Sequence, residues 1–143
     1  MKLEKIGYIR SPHKEPGKGP IQPSKTNAKG QVVVYKKFEE GLSDIEGFSH
    51  IILIYRFHRI KGYRLLVKPF QDTKLRGVFA ARAPRRPNRI GISIVKLIKR
   101  NKNILYIDNI DAVDNSPLLD IKPFIPEFEP DKKFRTGWRK GIK

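Results

Sequence analysis

The sequence predicts an all-β protein in which short strands form a small closed or nearly closed β-barrel, with short helical turns and long loops. Seven stretches of about strand length are rich in β-branched and aromatic residues, and turn residues separate them. Only the stretch LSDIEG at 42–47 has a helical pattern, and it amounts to one short turn. Seven strands without a long helix in a chain of 143 residues favour a barrel.

The predicted strands follow one another along the chain. They are LEKIGYIR (3–10), QVVVYK (31–36), HIILIYRF (50–57), YRLLVK (63–68), RGVFAAR (76–82), GISIVKLI (91–98) and NILYIDNI (103–110). The third is almost continuously apolar, which predicts a central strand or one covered on both faces. In the sixth, Ile92 and Ile94 alternate with other residues, and Leu97 indicates a β-bulge or a buried second face.

The composition excludes several kinds of chemistry. The chain has no cysteine, so it has no disulfide, thiolate nucleophile or cysteine-bound zinc. Its three histidines have no metal-site spacing, and we expect no metal. No apolar run has the length of a membrane span and the N-terminus lacks a signal-peptide pattern, which predicts a soluble, cytoplasmic protein. We expect one domain over 1–143, in which 132–143 form a basic C-terminal tail.

The positive charge is large and unevenly distributed. Lysine and arginine number 31 against 14 acidic residues, a formal net charge of +17. Fourteen basic residues but only one acid, Asp72, lie between 56 and 100. Such clustering favours a polyanionic partner such as nucleic acid. The alternative is a solvated charged surface like those of proteins from hot environments.

The segment RGVFAARAPRRPNRIGISIV, at 76–95, contains an arginine-rich loop between two predicted strands. Pro84 and Pro87 stiffen this loop, and Gly91 permits a tight entry into the next strand. We name residues 82–89 the arginine loop; its arginines are Arg82, Arg85, Arg86 and Arg89. Their mutual repulsion would be relieved by an anionic ligand. The alternative is an ordinary surface turn with solvated arginines.

Four motifs in this order resemble the TrmO/TsaA-like methyltransferase family. They are IGYIRSPHKEP (6–16), FSHIILIYRFH (48–58), GVFAARAPRRPNRIG (77–91) and DNSPLLDIKPFIP (114–126). The third is similar to the family run GVFATRSPxRPNPIG, and the fourth to DGTPxLDIKPYxP. The resemblance implies a β-barrel methyltransferase that binds S-adenosylmethionine near a homodimer interface. It also implies methylation of N6 of N6-threonylcarbamoyladenosine at position 37 of tRNA. The only G-x-G, at 17–19, precedes no predicted helix, so a Rossmann site is not expected.

The resemblance also implies a set of cofactor-binding residues. They are Pro23, Ser24, Lys25, His58, Arg59, Arg82, Arg86, Asp114, Asn115, Ser116, Pro117 and Leu118. Arg82 or Arg86 suits the cofactor carboxylate, and Asp114 suits its amine or ribose hydroxyls. Backbone groups around Ser116 and Leu118 suit the adenine edges. From spacing alone, Asp114 also fits the first residue of an Asx-type turn in DNSP.

Methyl transfer to a carbamoylated nitrogen benefits from a base, because that nitrogen is a poor nucleophile until its proton leaves. His58 and Asp114 are the two candidates in the motifs. His58 ends an apolar strand, so a histidine capping the core is the alternative for it.

Residues outside the cofactor set are expected to bind the substrate. Arg85 or Arg89 is predicted to pair with the threonyl carboxylate, which would select the modified base over plain adenine. In the tail, the candidates for RNA contacts are Lys133, Arg135, Trp138 and Arg139. Trp138 could stack on a base or anchor the tail on the barrel.

Two rival functions remain open at this point. The first is a basic barrel that binds RNA without catalysis, which predicts steep salt dependence and no cofactor dependence. The second is a methyltransferase of the same fold with a small-molecule substrate, which predicts cofactor binding without a requirement for RNA.

Overall fold

The computed structural model describes residues 1–16, 28–130 and 133–140. Its main body is a closed, antiparallel barrel of six strands in the order β1-β2-β7-β6-β3-β8. The bounds of these strands are β1 Gly7–Arg10, β2 Lys29–Val34, β3 His50–Arg56, β6 Ile90–Asn101, β7 Ile104–Asp108 and β8 Ser116–Pro123. Two short strands, β4 Leu66–Val67 and β5 Arg76–Gly77, pair separately from the barrel. The predicted all-β barrel is confirmed.

The core fills the inside of the barrel with every second residue of its strands. In β3, Ile51, Leu53 and Tyr55 face inward and are almost fully buried, as the two-residue period of a strand requires. Side chains from the connections close the two ends. Leu42, from the 3-10 helix Lys36–Leu42, packs at one end, and Ile110 and Ala112 pack at the other.

Three short stretches differ from the predictions. RGVFAAR was expected to be a strand, but only Arg76–Gly77 pairs, and Val78–Ala80 form a 3-10 helix. YRLLVK contributes only Leu66–Val67. Of the helical turn expected at 42–47, Ile45–Gly47 form a 3-10 helix, and Leu42 ends another, Lys36–Leu42, which was not predicted. Further 3-10 helices span Pro126–Phe128 and Gly137–Arg139.

Strand β8 was missed altogether, although it closes the barrel. It pairs with β1 on one side and with β3 on the other. Its sequence begins with a turn-like DNSP and contains Pro117 and Pro123, which argue locally against a strand. Pairing on both sides overrides that preference.

The predictions for β3 and β6 are largely confirmed. β3 is central, between β6 and β8. The β6–β7 register shifts between Leu97 and Lys99, which is the expected bulge. Gly91 has another role than the one predicted. An added Cβ there would lie 2.7 Å from the ring of Phe57 and 2.8 Å from that of Tyr55, so glycine is required for packing and not for a turn.

Three of the connections leave the barrel at the same end. We name this the site end, where β1, β3 and β7 finish and β2, β6 and β8 begin. Residues 11–16, 57–89 and 109–115 all start there. In the described part of the chain, no helix is long and apolar enough to cross a membrane.

Candidate functional site at the site end of the barrel

Asp114 joins two of the connections at the site end. Its Oδ1 accepts a hydrogen bond from the backbone N–H of Ser11 at 2.9 Å, and its Oδ2 accepts one from Nζ of Lys14 at 2.9 Å. Arg10 adds an ion pair at 3.7 Å. The carboxylate therefore holds the exit of β1, in contrast to the local Asx-type turn weighed from the sequence. Burial favours a higher pKa for Asp114, but these hydrogen bonds outweigh it and the pKa lies below the usual value.

His58 lies in the turn after β3 and is exposed, so it is not the core histidine that was the alternative. Among the described residues, no hydrogen bond reaches its imidazole; only its backbone N–H donates, to the carbonyl of Arg56. The burial that the ring does have, together with the cations of Arg59, Lys5 and Arg56, lowers its pKa. The imidazole is therefore neutral at pH 7 and has a free lone pair.

Arg86 closes the arginine loop on itself. Its Nη1 donates to the carbonyls of Ala81, at 2.7 Å, and Ala83, at 3.2 Å. A guanidinium engaged in this way fixes the backbone on either side of Arg82. The side chain of Arg82 is exposed and makes no hydrogen bond or ion pair with the described residues. Of the two arginines expected to meet a carboxylate, Arg82 is the one with all of its donors available.

Arg85 and Arg89 both hold the preceding turn. Arg85 Nη1 donates to the carbonyl of Lys61 at 3.0 Å, and Arg89 Nη1 to that of Gly62 at 3.4 Å. Arg89 has a positive φ of 50° and a buried Nε without a partner. Each guanidinium keeps further N–H donors. Arg85 and Arg89 thus tie the loop to the turn at 61–62, a role that neither interpretation of the sequence, an anion site or solvated arginines, included.

The other predicted residues fall into three groups. Arg59 donates to the carbonyl of Lys14 at the site end. Asn115 has a positive φ, and Ser116, Pro117 and Leu118 lie in β8. The Leu118 side chain is fully buried in the core and its carbonyl accepts from Ile6, so neither group is available at the site. Pro23, Ser24 and Lys25 lie outside the described residues.

In the tail, Lys133, Arg135 and Arg139 are exposed. Trp138 is half-buried, and its indole N–H donates to the carbonyl of Ala80 at 2.6 Å. The contact places the tail on the 3-10 helix Val78–Ala80, which lies outside the six-stranded barrel on which the sequence analysis considered an anchor.

Sequence analysis missed two features of the site. Lys14 is the partner of Asp114 and lies in the quoted motif IGYIRSPHKEP, so a signal was present. The second is a buried network in which Ser93 Oγ donates to Asp111 at 2.5 Å and is 2.8 Å from the Tyr55 hydroxyl. Burial raises the pKa of both Asp111 and Tyr55. No local sequence pattern links these three residues.

The described residues line a depression at each end of the barrel. An open depression of about 380 Å³ at the site end is lined by Arg10, Ser11, Pro12, Lys14, Lys29, Gly30, Gln31 and Asp114. A larger groove of about 520 Å³ lies at the opposite end, beside Lys36–Leu42, and contains none of the predicted site residues. In the described ranges, no group of three or more histidine, aspartate or glutamate side chains could hold a metal ion.

Comparisons with known proteins point to one family. The sequence profile of the tRNA-methyltransferase O N-terminal domain matches residues 8–130. A probable S-adenosyl-L-methionine-binding protein of Pyrococcus abyssi is 55% identical over 93% of this chain and 73% of that protein. The tRNA (adenine(37)-N6)-methyltransferase of Escherichia coli is 35% identical over 88% of this chain and 58% of the enzyme.

The fold agrees with these sequence matches. The crystal structure of TrmO from Pseudomonas aeruginosa matches with a TM-score of 0.79 at 34% identity, covering 96% of this chain and 62% of that chain. The present chain therefore spans about three-fifths of the E. coli enzyme and of the P. aeruginosa structure. With the profile matching most of its length, this chain belongs to the tRNA-methyltransferase O N-terminal domain family.

Proposed function

We propose that this chain is an S-adenosylmethionine-dependent methyltransferase that acts on N6 of N6-threonylcarbamoyladenosine at position 37 of tRNA. One observation carries the proposal. The three connections that contain parts of the family motifs all lie at one end of the barrel. The names of the P. abyssi and E. coli relatives support the cofactor and the tRNA substrate, respectively.

The residues at the site end fit the cofactor in part. Arg82 offers a guanidinium that no described residue pairs with, which suits a carboxylate through charge-assisted, bidentate hydrogen bonds. Asp114 is a less suitable ligand than expected, because its side chain is only 12% exposed and both oxygens already accept hydrogen bonds. Its role in the proposal is to hold Lys14 and the exit of β1. When bound, the cofactor supplies an electrophilic methyl group on a sulfonium.

His58 is the better candidate for the base. A general base must have a free lone pair at the working pH, and the lowered pKa of the exposed His58 provides it. Asp114, whose pKa is also lowered, is a weak base whose charge is already neutralised by Lys14. We therefore assign His58 to accept the proton of the acceptor nitrogen, and Asp114 to positioning.

The surface beside the site end supports an RNA substrate. Residues 57–89 contain ten lysines and arginines and one acid, Asp72, which is paired with Arg76. Such a field attracts phosphates and adds little selectivity by itself. Selection of the threonylcarbamoyl group is assigned to Arg85 or Arg89, whose remaining N–H donors can meet its carboxylate.

A homodimer is part of the proposal, and one surface supports it. Ile54 lies opposite Ile92, and Ile52 opposite Ile94, on the outer face of the β3–β6 pair. We name these four residues the isoleucine face. Ile92 and Ile94 are 49% and 43% exposed. An uncharged apolar face on a chain of net charge +17 suits a second copy better than RNA, and a two-fold axis would pair it with itself.

Two measurements test the function. Calorimetry with S-adenosylmethionine comes first, and mass analysis of tRNA nucleosides after incubation with cofactor follows. Methylated threonylcarbamoyladenosine in tRNA is the expected product. Binding of RNA without cofactor binding would support the non-catalytic barrel, and cofactor binding without any methylated tRNA would support a small-molecule substrate.

A further inference from the structure

Trp138 connects the C-terminal tail with the entrance of the arginine loop. It is the only tryptophan in the chain and lies in the 3-10 helix Gly137–Arg139. Its N–H donates to the carbonyl of Ala80, 58 residues earlier, at 2.6 Å. Within 133–140, every hydrogen bond and cation–ring contact found with the rest of the described chain is made by Trp138.

The partner side of this contact is rigid. Ala80 ends the 3-10 helix Val78–Ala80, whose Val78 is buried and donates its N–H to the carbonyl of Leu65 at 2.8 Å. The guanidinium of Arg76 lies 6.0 Å from the indole centroid and is itself fixed by Asp72 at 2.8 Å. Arg139 lies 5.6 Å from the same ring. The indole thus combines a hydrogen bond with two cation–π contacts.

The contact is adjacent to the proposed cofactor ligand. Ala81 follows Ala80 and accepts the hydrogen bond of Arg86 that closes the loop. Arg82 comes next, and none of its donors is used by residues 1–16, 28–130 or 133–140. Trp138 and Arg86 therefore hold neighbouring carbonyls immediately before Arg82, one from the tail and one from within the loop.

We propose that Trp138 is a positioning residue that docks the tail on Ala80 and thereby fixes the direction of Arg82 toward the cofactor. This inference rests on the proposed function, because it takes Arg82 as a cofactor ligand. Coupling is reciprocal, so occupation of the site by the cofactor also stabilises the docked tail and its cations.

The test is calorimetry with S-adenosylmethionine on three proteins: wild type, Trp138→Phe and Phe134→Ala. Trp138→Phe keeps an aromatic ring but lacks the N–H donor. We expect its affinity to fall about three- to tenfold, the value of one hydrogen bond, with an unchanged melting temperature. Phe134 is a matched control, because it lies in the same tail and is 70% exposed. Its replacement should leave affinity unchanged.

The single tryptophan gives a second readout that a merely structural role would not move. In wild type, Trp138 fluorescence should be shielded from acrylamide and should change further when S-adenosylmethionine is added. In Arg82→Ala, the shielding should remain and the response to cofactor should be reduced.

The outcomes separate the two proposals. If wild type binds the cofactor and Trp138→Phe binds it equally well, the positioning role is wrong while the proposed function stands. Ready quenching of wild-type Trp138 would overturn the docking itself. If wild type does not bind the cofactor, the proposed function fails and this inference fails with it.

Discussion

At the scale of single residues, the arginines of the arginine loop have different roles: one is available to bind a ligand and another holds the loop backbone. Arg82 has no hydrogen-bond or ion-pair partner in the described part of the chain, whereas Arg86 holds the carbonyls of Ala81 and Ala83. A charged hydrogen bond contributes about 1.5–3 kcal/mol. We expect Arg82→Ala to weaken binding of S-adenosylmethionine about ten- to hundredfold without changing the melting temperature. Arg86→Ala should lower both, because two partly buried carbonyl acceptors lose their donor. Equal melting temperatures and equal affinities in the two variants would contradict this division, as calorimetry and thermal unfolding would reveal.

His58 predicts the shape of the pH–rate profile. Its active form is the neutral imidazole, which partial burial and neighbouring cations favour, so its pKa is lowered from 6.5. Activity is therefore retained at neutral pH and is lost only as the pH falls through this lowered pKa. The acid limb of kcat/KM should lie below pH 6.5.

A pair of variants checks this assignment. His58→Gln should remove the acid limb and lower kcat/KM about 10²- to 10⁴-fold. His50→Gln serves as the control, because His50 begins β3 at the opposite end of the barrel and should leave the limb in place. An acid limb that persists in His58→Gln would assign the base to another group.

The role of a residue could be predicted from the sequence only where its contacts are with residues nearby in the chain. The motifs identified His58, Arg59, Arg82 and Asp114 as cofactor candidates, and the structure has them in connections that start at the site end. The motif IGYIRSPHKEP contains Lys14, but the inward orientation of Leu118 and the ion pair of Lys14 with Asp114 were not predicted, because both depend on the pairing of β1 with β8. The sequence gives the type of each titratable side chain. The partners that determine the pKa of that side chain come from distant segments of the chain.

At the scale of elements, Gly91 reports on the packing between β3 and β6. A Cβ there would meet the rings of Phe57 and Tyr55 at 2.7 and 2.8 Å, and Tyr55 is almost fully buried and cannot move away. We expect Gly91→Ala to lower the free energy of unfolding by about 1–3 kcal/mol, as in other overpacked cores. Gly41→Ala is the control, since no atom lies within 4 Å of its added Cβ. Denaturant unfolding measures both, and equal midpoints would show that the rings yield at little cost.

Strand prediction succeeded where apolar residues alternate regularly along the strand, and it failed where proline or glycine interrupts that pattern. β3 and β7 were predicted almost to their observed bounds. β8 was missed because Pro117 and Pro123 argue against a strand, and RGVFAAR was extended too far because a 3-10 helix begins at Val78, directly after Gly77. The hydrogen bonds that form β8 are long-range, to β1 and β3, whereas the 3-10 helix at 78–80 is closed by a local bond from Ala81 to Val78.

At the scale of the whole molecule, the charge distribution predicts the salt dependence of RNA binding. Cations that contact phosphates release counterions, so the logarithm of the tRNA affinity should fall linearly with the logarithm of the salt concentration. Replacing one phosphate-contacting cation lowers the slope by about one. Arg135→Gln should do so, whereas Lys36→Gln, at the opposite end of the barrel, should not. Filter binding across salt concentrations measures the slopes. Identical slopes for wild type and Arg135→Gln would show that Arg135 in the tail does not contact RNA phosphates.

The isoleucine face tests whether the protein is a homodimer. It also tests whether one copy contains the complete cofactor site. Ile52, Ile54, Ile92 and Ile94 lie side by side on the outside of the barrel, and a carboxylate among them would be desolvated at a two-fold interface. Ile94→Glu should therefore convert a dimer into a folded monomer in sedimentation, and should weaken binding of S-adenosylmethionine if the partner completes the site. Lys96→Glu adds a carboxylate further along the same outer face of β6 in place of a residue that is already charged, and should remain dimeric. A wild-type monomer would contradict the homodimer, and a monomeric Ile94→Glu that binds cofactor normally would place the whole cofactor site within one barrel.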